Sequence, residues 1–254
     1  MTLYAKRHFF DYKDLLRGCA GYIVQEKRDV MYKLARKLIE EANWRSQELA
    51  EGLGVLLLTW NAAFYTKFGS FDFDVLEEYL KQNTTLLKEY SERNILSYSN
   101  ADDNQIQTVF KELLEVTKSV KKIGRTPVGV SKTLHLLAPN YFSLWDTAIA
   151  KEYKVYWYSP PDKAPKKYTE FQSMTYEIAK NILNSYITEH KVSTEIAYNN
   201  ICNKLYPKVA LEIYDNKPPI NKSLIKMIDE YNFAKYKLEL NLQNYDDIIT
   251  RLKV

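Results

Sequence analysis

Glycine is scarce in this chain, 7 residues in 254, and proline nearly so at 8. So little of either argues against a turn-rich all-β fold and against glycine loops that cradle phosphate. Neither G-x-G-x-x-G nor G-x-x-x-x-G-K-[ST] occurs. Cysteine is limited to Cys19 and Cys202, far apart and outside any C-x-x-C pair. That excludes a disulfide framework and a cysteine zinc site, and each thiol reads as a small core residue. The longest apolar run, Gly52 to Leu58, falls far short of a bilayer span. The opening MTLYAKRHFF lacks the apolar region of a signal peptide. The expectation is a cytoplasmic protein with no membrane partner and no cofactor.

What the chain does have is helical periodicity. Hydrophobic residues at 46% and charged residues at 27% are ordinary for a globular protein, and the length allows an ample core. Between Asp11 and Trp44, Leu15, Leu16, Ile23, Met31, Leu34, Ala35, Leu38 and Ile39 recur at three and four. This spacing predicts two helices, or one broken near Gly18–Gly21. Ser46–Tyr65 is apolar all round at its centre and reads as the most buried helix, with Gly52 and Gly54 permitting close approach. Asp72 or Asp74 caps a helix running to about Tyr90. The acidic run Asp72, Asp74, Glu77 and Glu78 suits a helix first turn better than a metal. A helix carrying Ile106, Val109, Phe110, Leu113, Leu114 and Val116 follows the polar turn at Asn100–Asp103.

Pro160, Pro161 and Pro165 mark a loop, and helix resumes near Tyr168 and continues to about His190. Further helices are expected near Thr194–Tyr206, Lys222–Tyr236 and Tyr245–Leu252, with Pro218-Pro219 breaking between the first two. No period-2 alternation occurs. The fold class is therefore all-α, a multi-helix globular bundle of roughly nine or ten helices. Residues 1–254 form one unit, or two helical subdomains with a cleft near 124–154.

Charge is uneven. The formal net charge is +4, yet residues 117–167 carry ten basic side chains and three acidic ones, +7 for the segment and −3 for the remainder. Among them are Lys121, Lys122, Arg125, Lys163 and Lys166. Such a surplus fits a polyanion partner, or a solvated lysine surface. Tyr153, Tyr156, Trp157 and Tyr158 precede Lys163, Lys166 and Lys167. This mixture suits stacking on unpaired bases with phosphate contacts, or a loop whose aromatics fold back onto the core.

The stretch Gly124–Tyr153, GRTPVGVSKTLHLLAPNYFSLWDTAIAKEY, gathers the candidate chemistry. Lys132 falls in the first turn of a helix opening after Pro127. Asp146 sits at the N-cap of the next, and a short helix with its return loop can bring the two to one cleft. Pro127-Val128-Gly129-Val130-Ser131-Lys132 and Leu144-Trp145-Asp146-Thr147-Ala148 resemble the hairpin-lysine and aspartate motifs of the helix-hairpin-helix DNA glycosylase superfamily, especially its 8-oxoguanine-processing members. The resemblance covers about thirty residues. This sequence has one hairpin glycine, Gly129, where the family has two, carries Trp145 before the aspartate, and spaces lysine and aspartate more closely.

The resemblance implies a DNA-binding enzyme that flips a damaged base from the stack and excises it. Lys132 would be an amine nucleophile with lyase activity through a Schiff base, and Asp146 would assist proton transfer. Gly129, Ser131 and the basic residues Lys121, Lys122, Arg125, Lys163 and Lys166 would contact the DNA. Tyr141 and Trp145 would line the base pocket. His135, one turn beyond Lys132, would touch base or phosphate, or be a hydrogen-bonded core histidine. The alternatives are a plain first-turn lysine, an ordinary aspartate cap, and a non-enzymatic helical module that binds nucleic acid or protein. A metal-dependent nuclease lacks its ligand cluster.

Overall fold

The computed structural model describes residues 8–26, 29–122, 124–158, 160–214 and 222–252. The Pro218-Pro219 break and the opening stretch up to residue 7 lie outside them. Among the described residues every regular element is helical. In order these are α1 (Tyr12–Gln25), α2 (Val30–Ala42), α3 (Ser46–Trp60), α4 (Ala62–Phe68), α5 (Phe73–Gln82), α6 (Thr84–Ser91) and α7 (Asp103–Val116). There follow α8 (Pro127–Leu137), α9 (Thr147–Glu152), α10 (Ala164–His190), α11 (Thr194–Asn200), α12 (Tyr206–Ile213), α13 (Leu224–Asn232) and α14 (Asp246–Arg251). Single π-helical turns, Ile201–Leu205 and Phe233–Lys237, extend α11 and α13.

Caps written in the sequence set many of these boundaries. Asp11, Asp72, Asp146, Ser193 and Ser223 each turn a side-chain oxygen onto a first-turn amide. The carboxylate of Asp72 therefore caps α5 by accepting from the amides of Asp74 and Val75. Several boundaries differ from the sequence expectation: Asn61 and Asn83 divide the expected Ser46–Tyr65 and Asp72–Tyr90 helices into α3–α4 and α5–α6, so the helices outnumber the nine or ten expected. Helix α10 begins at Ala164, four residues before Tyr168, because Pro165 stands in its first turn, where a missing amide hydrogen costs nothing. The first break falls between Gln25 and Val30; Gly18 and Gly21 stay inside α1.

Those glycines are packing devices. A Cβ on Gly18 would lie 2.5 Å from Tyr231 Cδ2 and 2.7 Å from Tyr231 Cα, so α1 and α13 meet almost backbone to backbone. Gly52 meets Leu38 and Ile39 of α2, and Gly54 meets the Phe73 ring. The core runs through these contacts, with α2 on α3, α3 on α5, α8 against α2, α3 and α7, and α1 against α12 and α13. Met31 and Leu34 face outward instead of joining it. Gly18→Ala should lower stability in urea denaturation by about 1–3 kcal/mol, the overpacking cost. That exceeds the helix-propensity gain of alanine, about 1 kcal/mol; an unchanged midpoint would contradict the close approach. Cys19 and Cys202 are free and buried.

Candidate functional site

Helix α8 opens on Thr126, whose hydroxyl accepts from the Gly129 amide at 3.0 Å and from Asn61 Nδ2 at 2.7 Å. Five residues on, the buried Ser131 hydroxyl lies 2.9 Å from the Trp145 carbonyl and accepts from the Trp145 amide at 3.3 Å. This tie clamps the return of the loop onto α8. Because Lys132 follows Ser131 and Asp146 follows Trp145, the clamp carries both charged residues to one place.

Lys132 stands in the second turn of α8, not the first. Its Nζ donates to the Trp60 carbonyl at the C-terminal end of α3, 2.9 Å away, and sits 5.6 Å from the centre of the indole. Burial lowers the Lys132 amine to about 8, against the pull of Asp146 and Asp229, with Lys226 adding to the depression. Asp146 is half-buried and caps α9, its Oδ1 accepting from the Ile149 amide at 2.8 Å.

Helix α13 completes the cluster. Ser223, its N-cap, also donates to the Pro139 carbonyl at 2.6 Å, which moors α13 to the loop between α8 and α9. Lys226 is fully buried and pairs with Asp229 at 2.8 Å. Its ammonium lies 4.8, 5.0 and 5.2 Å from the ring centres of Tyr22, Tyr32 and Trp60. Tyr32 and Trp60 stack at 5.7 Å. Trp60, Lys226 and Asp229 have no counterpart among the sequence candidates. Sequence spacing gave no signal: Lys226, Asp229 and Glu230 fall three and four apart on one face, opposite Leu224, Ile225, Met227, Ile228 and Tyr231, and read as a solvated stripe that the fold nevertheless buries.

Several expected contacts are corrected. His135 takes the second of its two readings, a hydrogen-bonded core histidine: its Nδ1–H donates to the Phe142 carbonyl at 2.9 Å, and Nε2 accepts from the Tyr32 hydroxyl at 2.9 Å. Gly129 and Ser131 are likewise buried, and their polar groups serve the cap and the clamp just described. Tyr141 and Trp145 do not line a pocket open to a base. Tyr141 packs on Tyr90 and Phe142 and donates to Asp102 at 2.9 Å. Trp145 sits among Phe110, Trp157, Tyr168 and Phe171. Trp145 is drawn inward by the aromatic core that seats α10 on α7, and Tyr141 by Tyr90 of α6 and Phe142.

Among the basic candidates, Lys121, Lys122, Lys163 and Lys166 are exposed. Arg125 is engaged by Glu115 at 2.6 Å and Asp162 at 3.3 Å. The backbone amides of Val120 and Lys122 donate to the Ser70 and Phe68 carbonyls, which ties this basic segment to the end of α4. In the aromatic loop Tyr153 and Trp157 fold back onto the core, whereas Tyr158 stays exposed. No group of three or more His, Cys, Asp or Glu among the described residues is placed to hold a metal ion.

The neutral state of His135 makes a testable pH dependence. Burial depresses it from 6.5 to about 3, so the unfolded chain binds the proton that the folded chain refuses. Its contribution is complete above pH 6.5 and is lost as pH falls toward the folded value. The expected loss is about 1.4 kcal/mol per pH unit over that window. His135→Gln should remove that slope from stability measured against pH; a variant with the wild-type slope would show that another group causes it.

Comparison with protein-family models, curated proteins and solved structures finds no match to this chain.

Proposed function

We propose that this chain acts on DNA as a base-excision glycosylase with lyase chemistry at Lys132. What supports it is one observation: a buried amine lowered to about 8 lies in the field of an aspartate that caps the adjoining helix, with the half-buried indole of Trp60 next to the amine. At neutral pH roughly a tenth of such an amine is unprotonated, hundreds of times more than for an ordinary lysine. The neutral amine attacks C1′ of the flipped nucleotide, forming an N–C1′ bond as the glycosidic bond breaks and the base leaves. Asp146 stabilises positive charge developing on the sugar and takes the proton that the amine sheds. Opening of the sugar ring then yields the Schiff base. Trp60 takes the stacking role first expected of Tyr141 and Trp145, and Lys121, Lys122, Lys163 and Lys166 supply exposed cations for the phosphates.

The test is borohydride trapping on oligonucleotides carrying 8-oxoguanine, uracil, an alkylated base or an abasic site. A covalent adduct with one of them is the expected result. Base release without an adduct would move the chemistry to Asp146 and an activated water. A second reading is favoured by the structural duties of both residues, since Lys132 caps α3 through the Trp60 carbonyl and Asp146 caps α9. It is a non-enzymatic helical module that binds nucleic acid through the same exposed lysines. Salt-dependent affinity with neither adduct nor base release on any lesion would select it.

A further inference from the structure

Lys132 and Lys226 share one indole. Their ammonium nitrogens lie 5.6 and 5.2 Å from the centre of the Trp60 ring, yet the two amines are treated differently. Lys226 is enclosed by Tyr22, Tyr32 and Trp60 and holds Asp229 at 2.8 Å, with Glu230 at 3.9 Å. Lys132 has the Trp60 carbonyl as its hydrogen-bond acceptor, and no described carboxylate comes within ion-pair distance of it. Asp229 is nevertheless near enough to favour a charge on Lys132. A carboxylate that buried seeks the nearest cation.

We propose that Lys226 is a positioning residue for Lys132: it keeps the Asp229 carboxylate for itself, so that the Lys132 amine is left unpaired and reactive. The role rests on Lys132 being the nucleophile. The charged and titratable groups facing Lys132 are Asp146 from α9 and Lys226 and Asp229 from α13, with the carbonyl end of α3 beside them. From α2, Tyr32 stacks on Trp60, and Arg36 donates to the Leu136 carbonyl on α8. Of these, Lys226 and Asp229 alone form a pair whose separation would free a buried carboxylate. Lys226 also repels a second ammonium at the same indole. Both effects add to burial in favouring the neutral form of Lys132, against the attraction of Asp146.

The experiment is residue-resolved reductive methylation of the full-length protein with formaldehyde and cyanoborohydride. Mass spectrometry follows Lys132 through a pH series, so no DNA is needed. Lys226→Met should raise the midpoint of Lys132 reactivity by about one pH unit, a roughly tenfold loss of labelling at fixed pH below the midpoint. Lys226→Arg should stay near wild type. Lys226→Met with Asp229→Leu, which replaces the buried pair by apolar groups, should return the midpoint to wild type or below. If Lys226→Met alone fails to fold, the other two decide, and a raised midpoint in either would overturn the proposal. An unmoved midpoint in folded Lys226→Met would overturn it while leaving Lys132 as nucleophile. An ordinary lysine midpoint in the wild-type protein would defeat the nucleophile reading itself, and this proposal with it.

Discussion

Lys132→Gln should fold like the parent and form no borohydride-reducible adduct on any oligonucleotide. The glutamine amide can still donate to the Trp60 carbonyl, which Lys132 does at 2.9 Å, so the tie between α8 and α3 survives. What it lacks is a lone pair basic enough to attack C1′. Lys132→Arg sharpens the comparison. It keeps a cation beside the Trp60 ring and a donor for the carbonyl, but a guanidinium stays protonated and cannot form a Schiff base. Both variants should therefore bind DNA with near-parental affinity and lose the covalent step. Asp146→Asn separates the neighbouring role. Asparagine caps a helix about as well as aspartate, so α9 should persist while the carboxylate is gone. The expected loss in base release is on the order of a hundredfold or more. Undiminished adduct formation by Lys132→Gln would remove the amine mechanism, whatever Asp146→Asn does.

How much of this site was legible depended on the distance over which each residue acts. Asp146 and Asp72 cap helices through amides two or three residues away, and both were readable as caps from the sequence. The interior positions of α7 followed from spacing, but α3 is not the most buried helix, since Leu58 is exposed and α8 and α13 bury a larger share of their residues. The contact that defines the Lys132 environment joins residues 72 apart, beyond anything helical spacing can show. Ser131 and His135 looked available for DNA because their polarity was visible and their partners, Trp145, Phe142 and Tyr32, were not. Trp145 and Tyr141 went inward for the converse reason: an aromatic is drawn to whichever side offers more surface to bury, which α10 supplied for Trp145 and Tyr90 of α6 for Tyr141. The acids and lysines of α13 gave no local clue, since their spacing is that of an ordinary solvent-facing stripe.

The same helix carries the largest expected stability effect. Lys222, just ahead of α13, is 6% exposed and donates to Asp29 at 2.8 Å and to Glu230, whose second oxygen lacks a hydrogen-bond partner. Asp29 precedes α2 with a left-handed backbone, φ 43°, and makes no cap bond; its carboxylate is turned inward to the lysine. Lys222→Met would strand two buried carboxylates, at a cost of about 3–5 kcal/mol. Lys222→Met combined with Glu230→Leu should cost less than the single change, because one stranded charge leaves with its partner. A double variant that simply sums the two losses would mean that Lys222 and Glu230 are not coupled.

The dependence on pH gives a second check. Burial raises Glu230 above the ordinary glutamate value even with Lys222 present, and loss of Lys222 should raise it further. A group raised on folding contributes most below its unfolded value, and that contribution fades as pH climbs through the folded one. The deficit of Lys222→Met relative to wild type should accordingly shrink as pH is lowered from neutrality, because a protonated Glu230 no longer needs a counterion. The His135 penalty acts on both proteins and cancels in the difference. Asp29, which the lysines hold below the ordinary value, would give the same sign at lower pH, so a deficit that failed to shrink in acid would show that Lys222 neutralises neither carboxylate.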